Sequence, residues 1–351
     1  MSTLLQPSDA LLPQGLVFTS DSMPGYRRLK RGRGFSFRYP DGTLLTSKPE
    51  RKRILSLAIP PAYEDVWICM KANGHLQATG MDARLRKQYR YHPHWHEHAA
   101  NLKFGVLPDF AKTLPKLRAR YRKSLKNQSL DKDRIVAGIV CLLDQTGYRI
   151  GNARYEKENR SYGLSSLLSK HAKESEDGSV ILSFRGKSGQ QHLTEIQDAR
   201  LVKLVEDLHE LPGQHLFRYE DDSGQLHDID SSDVNDWLKA TTGGDFTAKQ
   251  LRTWKATVLC ARALKNAPCG TTQAEIKRAI NLAIASTAKQ LNHTKATCRK
   301  YYIHPALLER YMDGFLHHIM NAPAPRLRKA DGSAGLHADE RRVLKIITSV
   351  K

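Results

Sequence analysis

The chain of 351 residues carries 56 Lys and Arg against 36 Asp and Glu, which gives a formal net charge of +20 and an isoelectric point near 9.8. A hydrophobic content of 40% and a mean hydropathy of −0.53 describe a soluble globular protein, and no apolar run reaches the ~20 residues that a membrane span needs. The positive surplus predicts a polyanionic partner, of which nucleic acid is the commonest.

The first ~105 residues are predicted to form a small antiparallel β domain. Residues 35–39 alternate between aromatic and polar side chains and end at a Pro-Asp-Gly turn. Residues 66–70 predict a short buried strand, and the Asn-Gly pair at 73–74 predicts a hairpin turn into a returning strand at 76–79.

From about Val106 the apolar period becomes helical. Leucine and phenylalanine recur every three or four positions through 107–117, and residues 135–143 are apolar nearly all round, which predicts a core helix. One β-hairpin interrupts the helices, because strand-like segments at 179–184 and 191–196 flank a Gly-containing loop. Further helices are predicted at 198–210, 231–240, 247–266 and 272–291.

The sequence therefore predicts two domains and a tail. The β-rich domain spans residues 1–105 and the mainly helical domain spans 106–321. The segment 322–351 is rich in Pro, Gly and basic residues, so we expect a basic flexible tail that ends in a short helix near 339–348.

Several residues in the helical part have the types that phosphate chemistry requires. They are an arginine at a helix break, a lysine at the hairpin tip, a Lys-x-x-Arg pair, a histidine and a tyrosine, namely Arg149, Lys187, Lys249 with Arg252, His293 and Tyr302. Each alone is unspecific, because a solvated cation on a turn or helix is the commoner explanation. Together they suit phosphoryl transfer, which needs cations around the phosphate, a nucleophile and a proton donor for the leaving oxygen.

The sequence resembles the type IB DNA topoisomerases, specifically the compact bacterial and poxvirus-type branch. The resemblance runs from about Gly15 to Pro305 and includes a segment at 59–69 of the β domain. In the helical part it rests on Arg149–Asn152 with Ser161–Leu164, Phe184–Lys187, Lys249–Trp254, Leu291–Thr294 and Tyr302–Pro305. It implies an α+β fold, with a small antiparallel β N-terminal domain and a mainly α-helical catalytic domain that carries a β-hairpin and a tyrosine recombinase-like core.

The resemblance also implies roles for the site residues. Tyr302 would attack a DNA phosphate, and Arg149, Arg252 and His293 would hold the non-bridging oxygens. Lys187, helped by Arg149, would protonate the leaving 5′ oxygen. Tyr301 competes as nucleophile, but its spacing from His293 fits the family less well. No ATP-binding Gly-x-x-x-x-Gly-Lys loop is present, so we expect no nucleotide and no other cofactor.

The expected partner is duplex DNA, which two basic domains would clamp and bind in a salt-dependent way. Gln88, Tyr89 and Tyr91 match a family segment that meets base edges in the major groove, although an amphipathic strand would explain the two tyrosines equally well. Three further residues are predicted DNA contacts, Lys249, Arg154 and Tyr155. We expect a monomer in the cytoplasm, associated with the nucleoid and not with a membrane.

A histidine-rich tract at 92–98 resembles a metal-binding segment. Its histidines are spaced i, i+2 around a proline, whereas helical zinc sites use i, i+3 or i, i+4, so we expect no metal. On a strand, the four histidines would share one face. The five cysteines include no Cys-x-x-Cys pair, so the sequence predicts neither a zinc site nor a disulfide framework.

Two other functions remain open. A tyrosine recombinase uses a related set of residues, but here Lys249 precedes the second arginine where recombinases have histidine, and a β domain replaces a helical one. A basic DNA-binding protein without enzymatic activity would explain the charge but not the ordered set of candidate residues.

Overall fold

The computed structural model describes residues 12–151, 156, 160–325 and 335–349. The chain divides into two compact units, Met1–Gly105 and Val106–Lys351. Among the described residues, no helix combines the length and the apolar character that crossing a membrane would require.

The N-terminal unit is built on a five-stranded antiparallel sheet with the strand order β2-β1-β3-β4-β5. Phe37, Ile68 and Ala78 lie in its apolar core, and Ile54 of a short helix covers them. The elements are β1 (Gly25–Arg31), β2 (Gly34–Arg38), α1 (Lys48–Ser56), β3 (Glu64–Cys69), β4 (Leu76–Met81), β5 (Lys87–Tyr91) and α2 (Pro93–Gly105).

The strands predicted at 35–39, 66–70 and 76–79 are present, but two helices were not predicted. Helix α1 buries only Ile54 and is otherwise mostly charged, so it has no apolar period to detect. Helix α2 begins at Pro93 and carries His94, His96 and His98. The shared face that a strand would give the four histidines does not arise, because proline at the first helical position favours a helix start.

The C-terminal unit is mainly helical and carries a three-stranded antiparallel sheet of order β6-β7-β8 and a two-stranded pair. The helices are α3 (Leu107–Ser124), α4 (Lys132–Thr146), α5 (Ala199–His209), α6 (Ser231–Thr242), α7 (Ala248–Lys265), α8 (Gln273–Gln290), α9 (Lys295–Tyr301), α10 (Pro305–Met312), α11 (Phe315–Asn321) and α12 (Ala338–Thr348). The strands are β6 (Ala172–Glu174), β7 (Val180–Arg185), β8 (Gln191–Ile196), β9 (Arg218–Glu220) and β10 (Leu226–Asp228).

Helices α3, α4 and α7 pack against one another at the centre of this unit. The periodic residues that predicted α3, Leu107, Phe110, Leu114 and Leu117, are fully buried there. The predicted hairpin is the β7–β8 pair, in which Arg185 pairs with Gln191 across the turn. The mixed α/β content, with an antiparallel N-terminal sheet and a helical core, agrees with the predicted α+β class.

The C-terminal helix α12 is part of this core. Val343 and Ile346 are fully buried, and Leu336 joins the same apolar cluster. The expectation of a flexible tail over 322–351 is therefore wrong for residues 335–349, because the apolar face of α12 gains more from burial than from exposure to water. Residues 326–334 lie outside the described part of the chain.

A buried ion-pair network fixes α12 to the core. Arg118 donates to both oxygens of Glu340 at 2.7 Å and to Asp144 at 2.8 and 3.1 Å. The indole of Trp254 donates to Glu340 at 3.1 Å. Burial alone would raise the pKa of Glu340, but its hydrogen bonds with Arg118 outweigh burial and lower that pKa to about 2.

The network predicts a large loss of stability for Glu340→Ala. The substitution removes one of the two carboxylates that neutralise the buried guanidinium of Arg118. The free energy of unfolding should therefore fall by about 3 kcal/mol. Urea denaturation at neutral pH measures this change.

Asp245→Ala is the matched control. Asp245 pairs with Lys239 at 2.7 Å, but the two side chains are 73% and 46% exposed. An exposed pair of this kind contributes about 0.2–1 kcal/mol. Equal losses for the two variants would contradict a structural role for the buried network.

Candidate active site

A cavity of about 390 Å³ in the C-terminal unit brings together four of the predicted catalytic residues, Arg149, Lys187, His293 and Tyr302. Its wall is completed by Ser188, Gln190, Asn292, Thr294 and Thr297. Three separate parts of the unit contribute: the segment after α4, the β7–β8 turn, and α9 with the segments on either side of it.

Arg149 is positioned by a helix end and a close backbone contact. Helix α4 stops at Gly147, which adopts the left-handed conformation with φ of 66°. Two residues later, the carbonyl of Arg149 accepts a hydrogen bond from the backbone N–H of Leu164 at 3.0 Å. A Cβ at Gly163 would lie 2.3 Å from the backbone nitrogen of Gly151, so only glycine allows the two segments to approach this closely.

Arg252 lies on α7, is only 3% exposed, and is not among the residues that line the cavity. Its guanidinium donates to the carbonyl of Gly147, and to that of Leu291 at 2.6 Å. It thereby joins the segment that leads to Arg149 to the one that leads to His293. Burial, followed by the charge of Arg149, lowers the pKa of Arg252 to about 10, so it remains a cation at neutral pH.

His293 and Tyr302 face each other, with ring centroids 4.6 Å apart. One guanidinium nitrogen of Arg149 lies 3.0 Å from Nε2 and 3.2 Å from Nδ1 of His293. Burial, followed by the charges of Arg252 and Arg149, lowers the pKa of His293 to about 3. The imidazole is therefore neutral at neutral pH, when it can donate one N–H to an anion without adding a further repelling charge.

Tyr302 immediately follows α9, and its carbonyl accepts from Thr257 Oγ1 at 3.2 Å. The guanidinium carbon of Arg252 lies 5.2 Å from the centroid of its ring. The neighbouring Tyr301 is 44% exposed and does not line the cavity. Of the two competing tyrosines, the structure brings Tyr302 to the cationic groups.

Lys187 is carried at the β7–β8 turn, where residues Lys187–Gly189 form a short 3₁₀ turn. The N–H of Gly186 donates to the carbonyl of Gln190 at 2.7 Å and closes the turn. The hairpin therefore brings Lys187 to the same cavity as His293, although the two residues are far apart in the sequence.

Two buried guanidinium nitrogens at this site have no hydrogen-bond partner within the described residues. They are Nη1 of Arg149 and Nε of Arg252. A buried donor without an acceptor costs about 1–3 kcal/mol, so such groups usually serve a ligand or a function. Donors on two arginines, with a lysine, a neutral histidine and a phenol nearby, are chemically suited to an oxyanion with several oxygens.

The other predicted DNA contacts are Lys249, Arg154, Tyr155 and three residues of the N-terminal unit. Lys249 is exposed on α7 and does not line the cavity. Arg154 and Tyr155 lie outside the described residues. In the N-terminal unit, Tyr89 is 41% exposed and its ring stacks on that of Tyr91 with centroids 6.1 Å apart.

Gln88 lies on the same strand, β5, and its amide nitrogen donates to Asp82 at 3.0 Å. Base contacts by Gln88, Tyr89 and Tyr91 stay a prediction.

Sequence reasoning gave no site role to the small polar residues of the cavity wall, Ser188, Gln190, Asn292, Thr294 and Thr297, although Asn292 and Thr294 belong to a quoted family motif. Each lies within five positions of a predicted residue, and this proximity was the available signal.

Among the described residues, no group of three or more His, Cys, Asp or Glu is arranged to hold a metal ion. All five cysteines are free thiols.

Both parts of the chain match families of known proteins. Residues 93–321 match the family model described as the catalytic core of eukaryotic DNA topoisomerase I, and residues 34–82 match the N-terminal domain of bacterial DNA topoisomerase IB. The chain is 33% identical to DNA topoisomerase 1B of Acanthamoeba polyphaga mimivirus, over 86% of this chain and 92% of the relative. It is 23% identical to DNA topoisomerase 1B of Vaccinia virus (strain Copenhagen), over 72% and 76% of the two chains.

The histidines of this region predict that the protein loses stability in acid. His192, which is 3% exposed, has its pKa lowered to about 4 by burial and then by Arg149 and Arg252. In the unfolded chain a histidine titrates near ~6.5, so between these values the unfolded state binds more protons and the free energy of unfolding falls as the pH falls. His192→Phe should reduce that dependence, measured by denaturation at several pH values from 7 to 4.

The exposed His318, changed to Phe, is the control for this measurement. The free energy of unfolding of this control variant should depend on pH as that of the unchanged protein does. If His192→Phe also left the dependence unchanged, the acid sensitivity would have to come from other groups.

Proposed function

The chain belongs to the type IB DNA topoisomerase family and is a DNA topoisomerase, and we propose that it relaxes supercoiled duplex DNA through a covalent 3′-phosphotyrosyl intermediate. The observation that carries this proposal is the position of the Tyr302 ring, 4.6 Å from that of His293 and 5.2 Å from the guanidinium carbon of Arg252. A phenol surrounded by phosphate-binding groups is suited to attack a phosphodiester.

In the cleavage step, the Tyr302 oxygen attacks the phosphorus of a backbone diester and the bond to the 5′ oxygen breaks. The phenol proton passes to solvent, and the leaving 5′ oxygen takes a proton from the Lys187 ammonium, which solvent then restores. The products are a tyrosyl ester at the 3′ phosphate and a free 5′-hydroxyl strand.

Arg149, Arg252 and His293 would hold the non-bridging oxygens as negative charge builds up in the transition state. The unpartnered Nη1 of Arg149, a residue that lines the cavity, supports this role, because it is a buried donor that a phosphate oxygen would satisfy. The neutral His293 would donate one N–H. Lys249, exposed one helical turn before Arg252, would contact the DNA backbone nearby.

Relaxation follows while the strand is open, because the 5′ end can rotate about the intact strand. The 5′-hydroxyl then attacks the phosphotyrosine, releases Tyr302 and reseals the DNA. One phosphodiester is exchanged for another of similar energy, so the cycle needs no ATP. The cations that a metal would otherwise supply are side chains here, so we expect no metal requirement.

The two units would share DNA binding. The net charge of +20 supports extensive phosphate contact, so affinity should fall steeply with salt. We infer that residues 1–105 act as a DNA-binding domain in which Gln88, Tyr89 and Tyr91 meet the major groove, and that residues 106–321 form the catalytic domain with a tyrosine recombinase-like core. The protein would act as a monomer.

Tyr302→Phe should abolish covalent attachment to DNA, because phenylalanine has no oxygen to attack phosphorus. Protein is incubated with a nicked or duplex DNA, denatured, and separated on a denaturing gel. Tyr301→Phe removes the hydroxyl of the adjacent, exposed ring and should retain adduct formation. Adducts that persist in Tyr302→Phe and vanish in Tyr301→Phe would reverse the assignment.

The proposed chemistry also predicts relaxation of both negatively and positively supercoiled plasmid in EDTA, without nucleotide. The measurement is a gel time course with and without added Mg²⁺ and ATP. A modest effect of Mg²⁺ on rate is compatible with the mechanism, since divalent ions compete for DNA phosphates. Complete loss of relaxation in EDTA would contradict it.

A further inference from the structure

A buried histidine that the proposed mechanism does not use lies behind the cavity. His192, on β8, is 3% exposed, and its ring stacks on that of Phe184 with centroids 4.8 Å apart. The ring of Tyr148 meets it edge-on at 4.4 Å. A Cβ placed on Gly186 would lie 2.6 Å from both Nε2 and Cδ2 of His192, so this edge of the imidazole packs directly on the glycine backbone.

The other edge of the imidazole is hydrogen-bonded. Asn292 Nδ2 lies 3.1 Å from the carbonyl of Gln191 and 3.0 Å from Nδ1 of His192. A carbonyl can only accept, so the amide nitrogen must face it, and the second N–H of the same nitrogen is then donated to Nδ1. His192 is therefore a neutral imidazole with its proton on Nε2.

These contacts place the imidazole of His192 against three residues, each of which directly precedes a site residue in the sequence. Tyr148 precedes Arg149, Gly186 precedes Lys187, and Asn292 precedes His293. The hairpin turn is short and carries the exposed Lys187 at its tip. The ring joins this turn, through Gly186, to the segment that carries His293, through Asn292.

We propose that His192 is a positioning residue that, together with Asn292, holds the Lys187 turn at the phosphate site so that the lysine can protonate the leaving oxygen. This inference rests on the proposed function. It adds that the proton donor is placed by a side chain that touches no substrate.

The test separates proton donation from other losses by changing the leaving atom. In a DNA with sulfur in place of the 5′ bridging oxygen, the 5′ strand leaves as a thiolate. A thiolate leaving group needs no proton donor. Single-turnover cleavage is measured with the oxygen and the sulfur substrates for the unchanged protein, Lys187→Ala and His192→Ala. We expect His192→Ala to be about 100-fold slower on oxygen and within about threefold of the unchanged protein on sulfur.

Asn292→Gly provides a second variant if His192→Ala does not fold. Glycine accepts the φ of 50° at this position and leaves the buried ring in place, while the hydrogen bond to Nδ1 is lost. It should show the same selective loss on oxygen. His171→Ala is the matched control, because the His171 ring also packs near Phe184, at 6.4 Å, and against Tyr162 at 4.5 Å, while its side-chain hydrogen bond within the described residues is with the N–H of Leu168. It should affect the two substrates equally.

The outcomes distinguish the positioning role of His192 from the proposed function. Rescue of Lys187→Ala by sulfur, with equal losses on both substrates for His192→Ala and Asn292→Gly, would overturn the positioning role and leave the proposed function intact. If Lys187→Ala itself were equally slow on both substrates, the proton-donor assignment in the proposed function would fail, and the role of His192 with it.

Discussion

The candidate site depends on holding several positive groups close together in a partly buried pocket. Like charges repel strongly where water is excluded, so the arrangement needs compensation from within the fold. The guanidinium of Arg252 is compensated by the backbone carbonyls of Gly147 and Leu291, which accept its hydrogen bonds. His293 contributes by staying neutral, since its pKa is lowered to about 3. The site therefore keeps its cations assembled through main-chain dipoles and a neutral imidazole, and no carboxylate is among the described residues that line the cavity.

Much of the helical part could be predicted because burial leaves a periodic pattern. Leu107, Phe110 and Leu114 follow the helical repeat and are fully buried, and the β7–β8 hairpin shows the alternation of a half-buried ribbon. Helix α1 could not be found in this way, since it has a single buried residue and depends on Ser47 as its cap. The C-terminal helix was predicted, but its packing was not, because nothing local shows that Glu340 meets Arg118.

The site residues were identified from residue types, order and family likeness, and four of them line one cavity. Arg252 is a different case, since it lies three positions after Lys249 on the same helix, yet only Lys249 is exposed. The supporting residues could not be predicted. His192 lies in an ordinary strand pattern, and its value depends on contacts with Tyr148, Gly186 and Asn292 that only the folded chain brings together.

The Arg118–Glu340 contact spans 222 positions of the chain. A ribosome must therefore add residue 340 before Trp254, on the helix that carries Arg252, can donate its indole N–H to Glu340. Until that moment the guanidinium of Arg118 has only Asp144 and water as partners, and the apolar face that α12 covers stays open. The nascent polypeptide would thus complete this part of its apolar core only when nearly all of the described chain has been synthesised.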